Sequence, residues 1–346
     1  MKVLFNCNTT AFQAPGGGEI LLLKTLEYLK KNKIKVKLFN KWEDNIKNFD
    51  LLHSFGLSNN CHDLINYTHK KIPIVVTTIY SWPSIRFALK SGIKNKDRLK
   101  LSAYAIKHNF PIINKSTTVK KILDKANLII PDSWIEAKLL SKKFNIKEDK
   151  FYPVPNGVDK RFYKTKPNEF IKKYGLKDFV LYAGRVEPRK NVLNLIKSLN
   201  KTKIPLVIIG SPSYQGGKEY YNLCKKIANK NIHFIKEVSH ESTLLESAYA
   251  ASKVTVLPSW LETPGLSALE GGLAGSNIVI TSRGTSIDYF KNHALYINPF
   301  DNKDIKNKII KAYNKEKNKE LAEHIKKNFL WDILMKKLIK GYKKII

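Results

Sequence analysis

Short, mostly apolar runs, each set off by a longer polar connection, recur along the whole chain and limit what it can fold into. They fall at 2–6, 34–39, 50–53, 73–78 and 127–131, and again at 179–183, 205–210, 232–235, 254–257 and 277–281. A continuous apolar run of roughly four to eight residues is the pattern of a strand buried on both faces, and parallel sheets bury both faces. Several of the intervals carry helix-period apolar residues, such as Ile20, Leu23, Leu26 and Leu29, or Val192, Leu195, Ile196 and Leu199. Strand and helix in alternation predict doubly wound α/β sheets. Ligands of such sheets bind beyond the carboxyl ends of the strands, so the residues that follow each run are the ones that matter for chemistry.

The most informative of these junctions is 254–270, VTVLPSWLETPGLSALE. The run stops at Pro258, turns through Pro264 and Gly265, and becomes helix-forming at Leu266. The first turn of a helix leaves backbone N–H groups unpaired at the positive end of the helix dipole, a seat for phosphate. Glu262 and Glu270 flank that seat. Carboxylates repel phosphate but accept paired hydrogen bonds from sugar hydroxyls. An ordinary strand-loop-helix with two surface glutamates has the same pattern. The stretch E-x7-E around P-G-L resembles the donor-site signature of the retaining glycosyltransferases of family 4, which have the GT-B architecture. The resemblance implies that Glu262 contacts the donor sugar, that Gly265 and Leu266 offer backbone N–H groups, and that Glu270 holds the ribose.

A length of 346 residues with 43% hydrophobic content suffices for two domains with separate cores. Three cysteines without paired or metal-ligand spacing point away from a disulfide framework and a zinc site and towards a reducing, cytoplasmic setting. The opening MKVLFNCNTT lacks the apolar segment of a secretion signal, and no run approaches the ~18 apolar residues of a membrane span. The excess of 62 basic over 29 acidic residues, a net charge of +33, favours anionic partners such as nucleotide diphosphates, the inner membrane face or nucleic acid, the last of these least. Abundant Lys, Asn and Ile also fit codon bias in an A/T-rich genome, with much of the charge on solvated faces.

In the first half, Gly16, Gly17 and Gly18 form a glycine-rich turn after the first run, where backbone can approach a ligand without a Cβ in the way. Its place resembles the family's N-terminal glycine loop, which implies contact with the donor diphosphate. His53 ends one run, and Tyr80 and Trp82 follow another; these three are candidates for the acceptor side. The segment VVTTIYSWP resembles a family segment V-V-T-x-H-D-x-W-P, with Ile79 where the family has its His. Between Arg86 and Lys121 the only acid is Asp97, a basic stretch suited to an anionic acceptor or surface, or simply a solvated helical excursion. Asp132 or Ser133 is placed to cap the helix that follows 127–131.

Two prolines and an Asn-Gly pair in 151–159, FYPVPNGVD, stop any helix there and mark a boundary. Domains are expected at 1–162 and 163–328, with a final helix, 329–346, whose Trp331, Leu334, Leu338 and Tyr342 share one face and return to the first domain. The G-R-x4-K spacing of Arg185 and Lys190, on the loop after 179–183, resembles the family's diphosphate clamp. Fork-shaped guanidinium and point-charge ammonium both suit phosphate, although two surface cations would look alike. The segment 237–241 falls where the family contacts the base, and nothing in it identifies one.

The resemblance implies two Rossmann-like domains facing a central cleft and a retaining hexosyltransferase that uses a UDP- or GDP-linked sugar. Glu262, Arg185 and Lys190 then belong to the catalytic set, with no cofactor, because no D-x-D occurs to bridge a metal. The acceptor is expected to be a glycan, a glycolipid or another anionic molecule. A basic binding protein without catalysis and an epimerase of the same architecture are the competing readings.

Overall fold

The computed structural model describes every residue except 10, 14–16, 81–86, 88–101, 104, 107–116, 213–216 and 318, and only the backbone of 59 and 60. Gly16, Trp82 and most of the basic stretch 86–121 therefore lie outside the described residues.

The chain forms two compact α/β units. The first includes Met1–Pro83, Ala103–Gly157 and Trp331–Ile346, and the second includes Val158–Leu330. The passage between them lies at Gly157/Val158 rather than at 162/163, because Val158 already pairs with Leu330 and Phe162 packs in the second core.

The first unit has a five-stranded parallel sheet in the order β2-β1-β3-β4-β5, with β1 at Lys2–Asn6, β2 at Lys35–Leu38, β3 at Leu51–Phe55, β4 at Ile74–Thr77 and β5 at Leu128–Ile130. Side chains alternate across a strand, and the sheet has a core on each face. Val3 and Phe5 join Leu51 and Val75 beneath the helices Gly17–Lys31 and Trp331–Tyr342. Leu4, Leu52, Ile74 and Val76 point the other way, towards Ile122, Ala137 and Leu140. The closing helix brings Trp331 so near Gly157 that a Cβ there would stand 2.4 Å from the indole, a position only glycine allows. Ser133 is the observed cap of the helix Trp134–Phe144, accepting from the Glu136 N–H at 3.1 Å.

The second unit has a six-stranded parallel sheet in the order β11-β10-β9-β6-β7-β8. Its strands are β6 (Phe179–Ala183), β7 (Leu206–Ile209), β8 (Ile232–Ile235), β9 (Ser252–Leu257), β10 (Asn277–Thr281) and β11 (Ala294–Ile297). Every residue of β6 and β10 is buried, which is why they read as unbroken apolar runs. From β6 the chain winds outward through β7 and β8, then returns to β9 on the other side of β6. The loops leaving β6 and β9 therefore diverge at the switch in strand order, the place in such sheets where a crevice for ligand opens.

Candidate active site

The loop after β6 crosses the loop after β7 backbone to backbone. Gly184 has φ +148° and Gly210 φ +155°, and a Cβ on Gly210 would stand 2.0 Å from the Gly184 carbonyl oxygen. The turn Pro188–Lys190 then ends at Asn191 in the left-handed region. The Asn191 amide donates to the carbonyls of Pro258 at 3.0 Å and Pro299 at 2.9 Å, tying together the loops that leave β6, β9 and β11. The indole N–H of Trp260 adds a bond to the Pro188 carbonyl at 2.9 Å.

This bracing sets Lys190 on Glu262. The ammonium lies 3.0 and 2.9 Å from the two carboxylate oxygens, and the Ser259 hydroxyl donates to Oε2 at 2.6 Å. Both side chains are largely buried, at 16% and 7% exposure. Burial alone would raise the Glu262 carboxyl, but the charge of Lys190, then that of Arg189 and the Ser259 hydrogen bond, hold it below the usual carboxylate range. Burial pushes the Lys190 ammonium down, with Glu262 countering it. Arg185 is exposed, and its guanidinium has no ion pair among the described residues.

Glu262 is fixed by its own backbone as well. Its N–H donates to the Arg283 carbonyl at 3.1 Å, and its carbonyl accepts from Thr285 N–H at 3.1 Å. A Cβ on Gly284, φ +119°, would lie 1.9 Å from the Glu262 carbonyl oxygen. A Cβ on Gly265, φ +92°, would come within 2.7 Å of Leu257 and 3.0 Å of the Glu262 side chain. Glycine at 265 is thus required by packing around Glu262, whatever its N–H binds. Leu266 opens the helix Leu266–Leu273, in which the N–H groups of Ala268 and Leu269 turn back to the Gly265 carbonyl at 3.0 and 3.3 Å, leaving those of Leu266 and Ser267 ahead of the first intrahelical bond.

On the second turn of that helix Glu270 is 9% exposed and accepts on both oxygens. Tyr249, from the helix Thr243–Ala251, donates its hydroxyl to Oε2 at 2.7 Å, and His240, in the turn beyond β8, places Nε2 2.7 Å from Oε1. Burial, and then Glu270 itself, hold the Tyr249 hydroxyl well above its usual range, so it remains a neutral donor. The Glu270 hydrogen bond raises His240 against the opposing effect of burial. Arg161 bonds the His240 carbonyl and pairs with Glu246 at 2.8 Å. Spacing of residues along the chain gave no sign of His240, Tyr249, Ser259 or Asn191; the segment 237–241 drew attention only as the place for a base.

The first-unit candidates divide differently. His53 is no acceptor-side group: it is fully buried, with Nδ1 2.6 Å from the Tyr342 hydroxyl, Nε2 2.8 Å from Thr77 Oγ1, and Phe5 and Phe55 against its ring. Burial lowers it to about 3, so it stays neutral. Tyr80 is also buried, its ring edge on Phe144 and its N–H donating to Glu136 Oε1 at 2.7 Å. Glu136, which the S-x-x-E capping pattern could have revealed, accepts in addition from the Thr78 hydroxyl at 2.7 Å and from Asp132 N–H at 2.6 Å. Between these two anchored residues Ile79 has φ +44°, strained for a β-branched side chain, and is exposed. Gly17 and Gly18 begin the helix Gly17–Lys31, and a Cβ on Gly18 would meet Ile79 at an unstrained 3.6 Å.

Residues 165–329, nearly all of the second unit, match the model of the family described as glycosyl transferases group 1. A D-rhamnosyltransferase of Pseudomonas aeruginosa is 30% identical over 40% of this chain and 36% of its own length. O-antigen chain mannosyltransferase B of Escherichia coli is 25% identical over 64% of this chain and 61% of its own length. The alignments thus span between about a third and two thirds of these relatives. The fold extends further. Sucrose-phosphate synthase of Thermosynechococcus elongatus superposes with a TM-score of 0.77 at 16% identity, covering 99% of each chain. Anabaena HepE, solved with UDP and glucose, gives 0.72 at 15% identity over 99% of this chain and all of that one. The two parallel-sheet domains are those of the GT-B architecture. No helix among the described residues is long and apolar enough to cross a membrane.

Proposed function

We propose that the chain is a retaining, metal-independent glycosyltransferase that moves a sugar from a UDP- or GDP-linked donor to a glycan-type acceptor. The observation that carries the reading is the buried Lys190–Glu262 pair at the strand-order switch, beside the N-terminus of the helix Leu266–Leu273. Arg185 and Lys190 supply positive charge for the diphosphate, and the helix N–H groups add fixed dipoles. One well-placed donor of this kind contributes about 2.7–4 kcal/mol as charge develops on the leaving group. Glu262, released from part of its hold on Lys190 when phosphate competes for the ammonium, accepts from the hydroxyls of the transferred sugar. Glu270 accepts from the ribose.

Ile79 offers no group to take the acceptor's proton. Same-face attack, in which an oxygen of the departing phosphate takes that proton, needs none. The name of the Escherichia relative, an O-antigen chain mannosyltransferase, supports a glycan chain as acceptor. The test is release of UDP or GDP from a panel of nucleotide sugars with EDTA present, followed by the anomeric configuration of the product by NMR. Turnover abolished by EDTA would refute metal independence, and an inverted product would refute retention.

A further inference from the structure

We propose that His240 positions Glu270 for the donor ribose and thereby sets a preference for ribonucleotides at this site. The inference rests on the reading of Glu270 as the ribose carboxylate. A carboxylate has about four lone-pair directions, two on each oxygen. Tyr249 uses one on Oε2 and His240 one on Oε1, so each oxygen keeps one. That leaves the paired acceptors which adjacent 2′- and 3′-hydroxyls require.

The two supports are not equivalent. Tyr249 is 1% exposed with its ring edge against Phe162, so its donor is fixed by the core. His240 is 28% exposed and comes from a turn, so its place depends on side-chain contacts. Arg161 supplies these: it bonds the His240 carbonyl, lies 3.4 Å from Nδ1, and is itself held by Glu246. Glu241 Oε1 also lies 3.4 Å from Nδ1. In the neutral ring Nδ1 accepts from Arg161, and in the charged ring Nδ1–H turns to Glu241. Nε2–H donates to Glu270 in both states, so the orientation of the carboxylate survives titration of the imidazole.

Binding of UDP and GDP is compared with binding of their 2′,3′-dideoxy counterparts by isothermal titration, on the full chain and on the variants His240→Ala, His240→Gln and Glu270→Gln. The wild type should favour the ribonucleotide by about tenfold, the scale of one charge-assisted hydrogen bond. Glu270→Gln and His240→Ala should each bring the ratio near one while leaving dideoxynucleotide affinity within about twofold, which also shows that the site is folded. His240→Gln, whose amide N–H can replace Nε2–H, should keep most of the preference. Retention of the full ratio in His240→Ala while Glu270→Gln loses it would overturn the role of His240 alone. Equal loss of ribo- and dideoxynucleotide binding in His240→Ala would overturn it too, since His240 would then act on something other than the ribose. A wild type without any ratio would instead remove the ribose reading of Glu270, and this inference with it.

Discussion

Replacing Lys190 by Met should destabilise the second unit by about 3–5 kcal/mol near neutral pH, the scale for removing one partner of a buried ion pair. Glu262 is 7% exposed and would lose its two contacts at 2.9 and 3.0 Å, keeping the 2.6 Å bond from Ser259. Protonation limits the damage, each pH unit between the ambient value and the raised carboxyl costing about 1.4 kcal/mol. The sign follows. In the wild type the carboxyl is held below 4.5, so it contributes stability that is present above 4.5 and lost as pH falls through the lower folded value. In the variant burial is no longer outweighed and the carboxyl rises above 4.5, so stability is lost as pH increases through that interval. The gap between the two proteins should therefore be small at about pH 3 and widest at about pH 7. Hydrogen exchange in urea, read on peptides of β6, β9 and the helix Leu266–Leu273, measures the second unit with the first as an internal control. The pair Lys190→Met/Glu262→Gln should recover most of the loss. A single variant that costs under about 1 kcal/mol at every pH, or a double variant as damaged as the single, would refute the coupling.

Arg185→Ala should leave stability within about 0.5 kcal/mol, because the side chain is exposed, and weaken UDP or GDP binding in titration calorimetry. Gly18→Ala should be neutral or stabilising by up to about 1 kcal/mol in a thermal melt, since a Cβ meets Ile79 at 3.6 Å, yet weaken donor binding if ligand backs onto that turn. His53, lowered to about 3 from 6.5 by burial, gives stability that is full above 6.5 and falls as pH drops towards 3, on the order of 5 kcal/mol in all. His53→Gln should flatten that acid slope in urea titrations of first-unit peptides; an unchanged slope would place the titration elsewhere.

Much of the scaffold was legible because burial on both faces writes itself as an apolar run: Lys2–Asn6, Phe179–Ala183 and Asn277–Thr281 are strands over the spans read from sequence. The edge strand Ala294–Ile297 was not, although Ile232–Ile235, an edge strand as short and as half-exposed, was read over its full span. At the site, Glu262 with Lys190 was legible as residue types after strands, but their direct pairing across 72 positions was not. His53 shows the same limit in reverse. Its place at a strand end suggested a ligand-facing ring, and what decides its role is a hydroxyl 289 positions away. Side chains that satisfy one another across such distances leave no periodicity to read.

The helix Trp331–Tyr342, which lays Trp331 on Gly157 and Tyr342 on His53, also fixes an order of events during synthesis. At translation speeds of about 5–20 residues per second, the 174 positions from 157 to 331 take on the order of ten to thirty-five seconds to emerge. Throughout that interval Val3, Leu22, Leu29 and Leu51 lack the cover of Trp331, Leu334 and Leu338, whereas the segment 158–330 contains all six strands of its own sheet and completes that sheet without the final helix. The amino-terminal half therefore keeps an apolar face open to water, and to other apolar surfaces, until Trp331, Leu334 and Leu338 have been made.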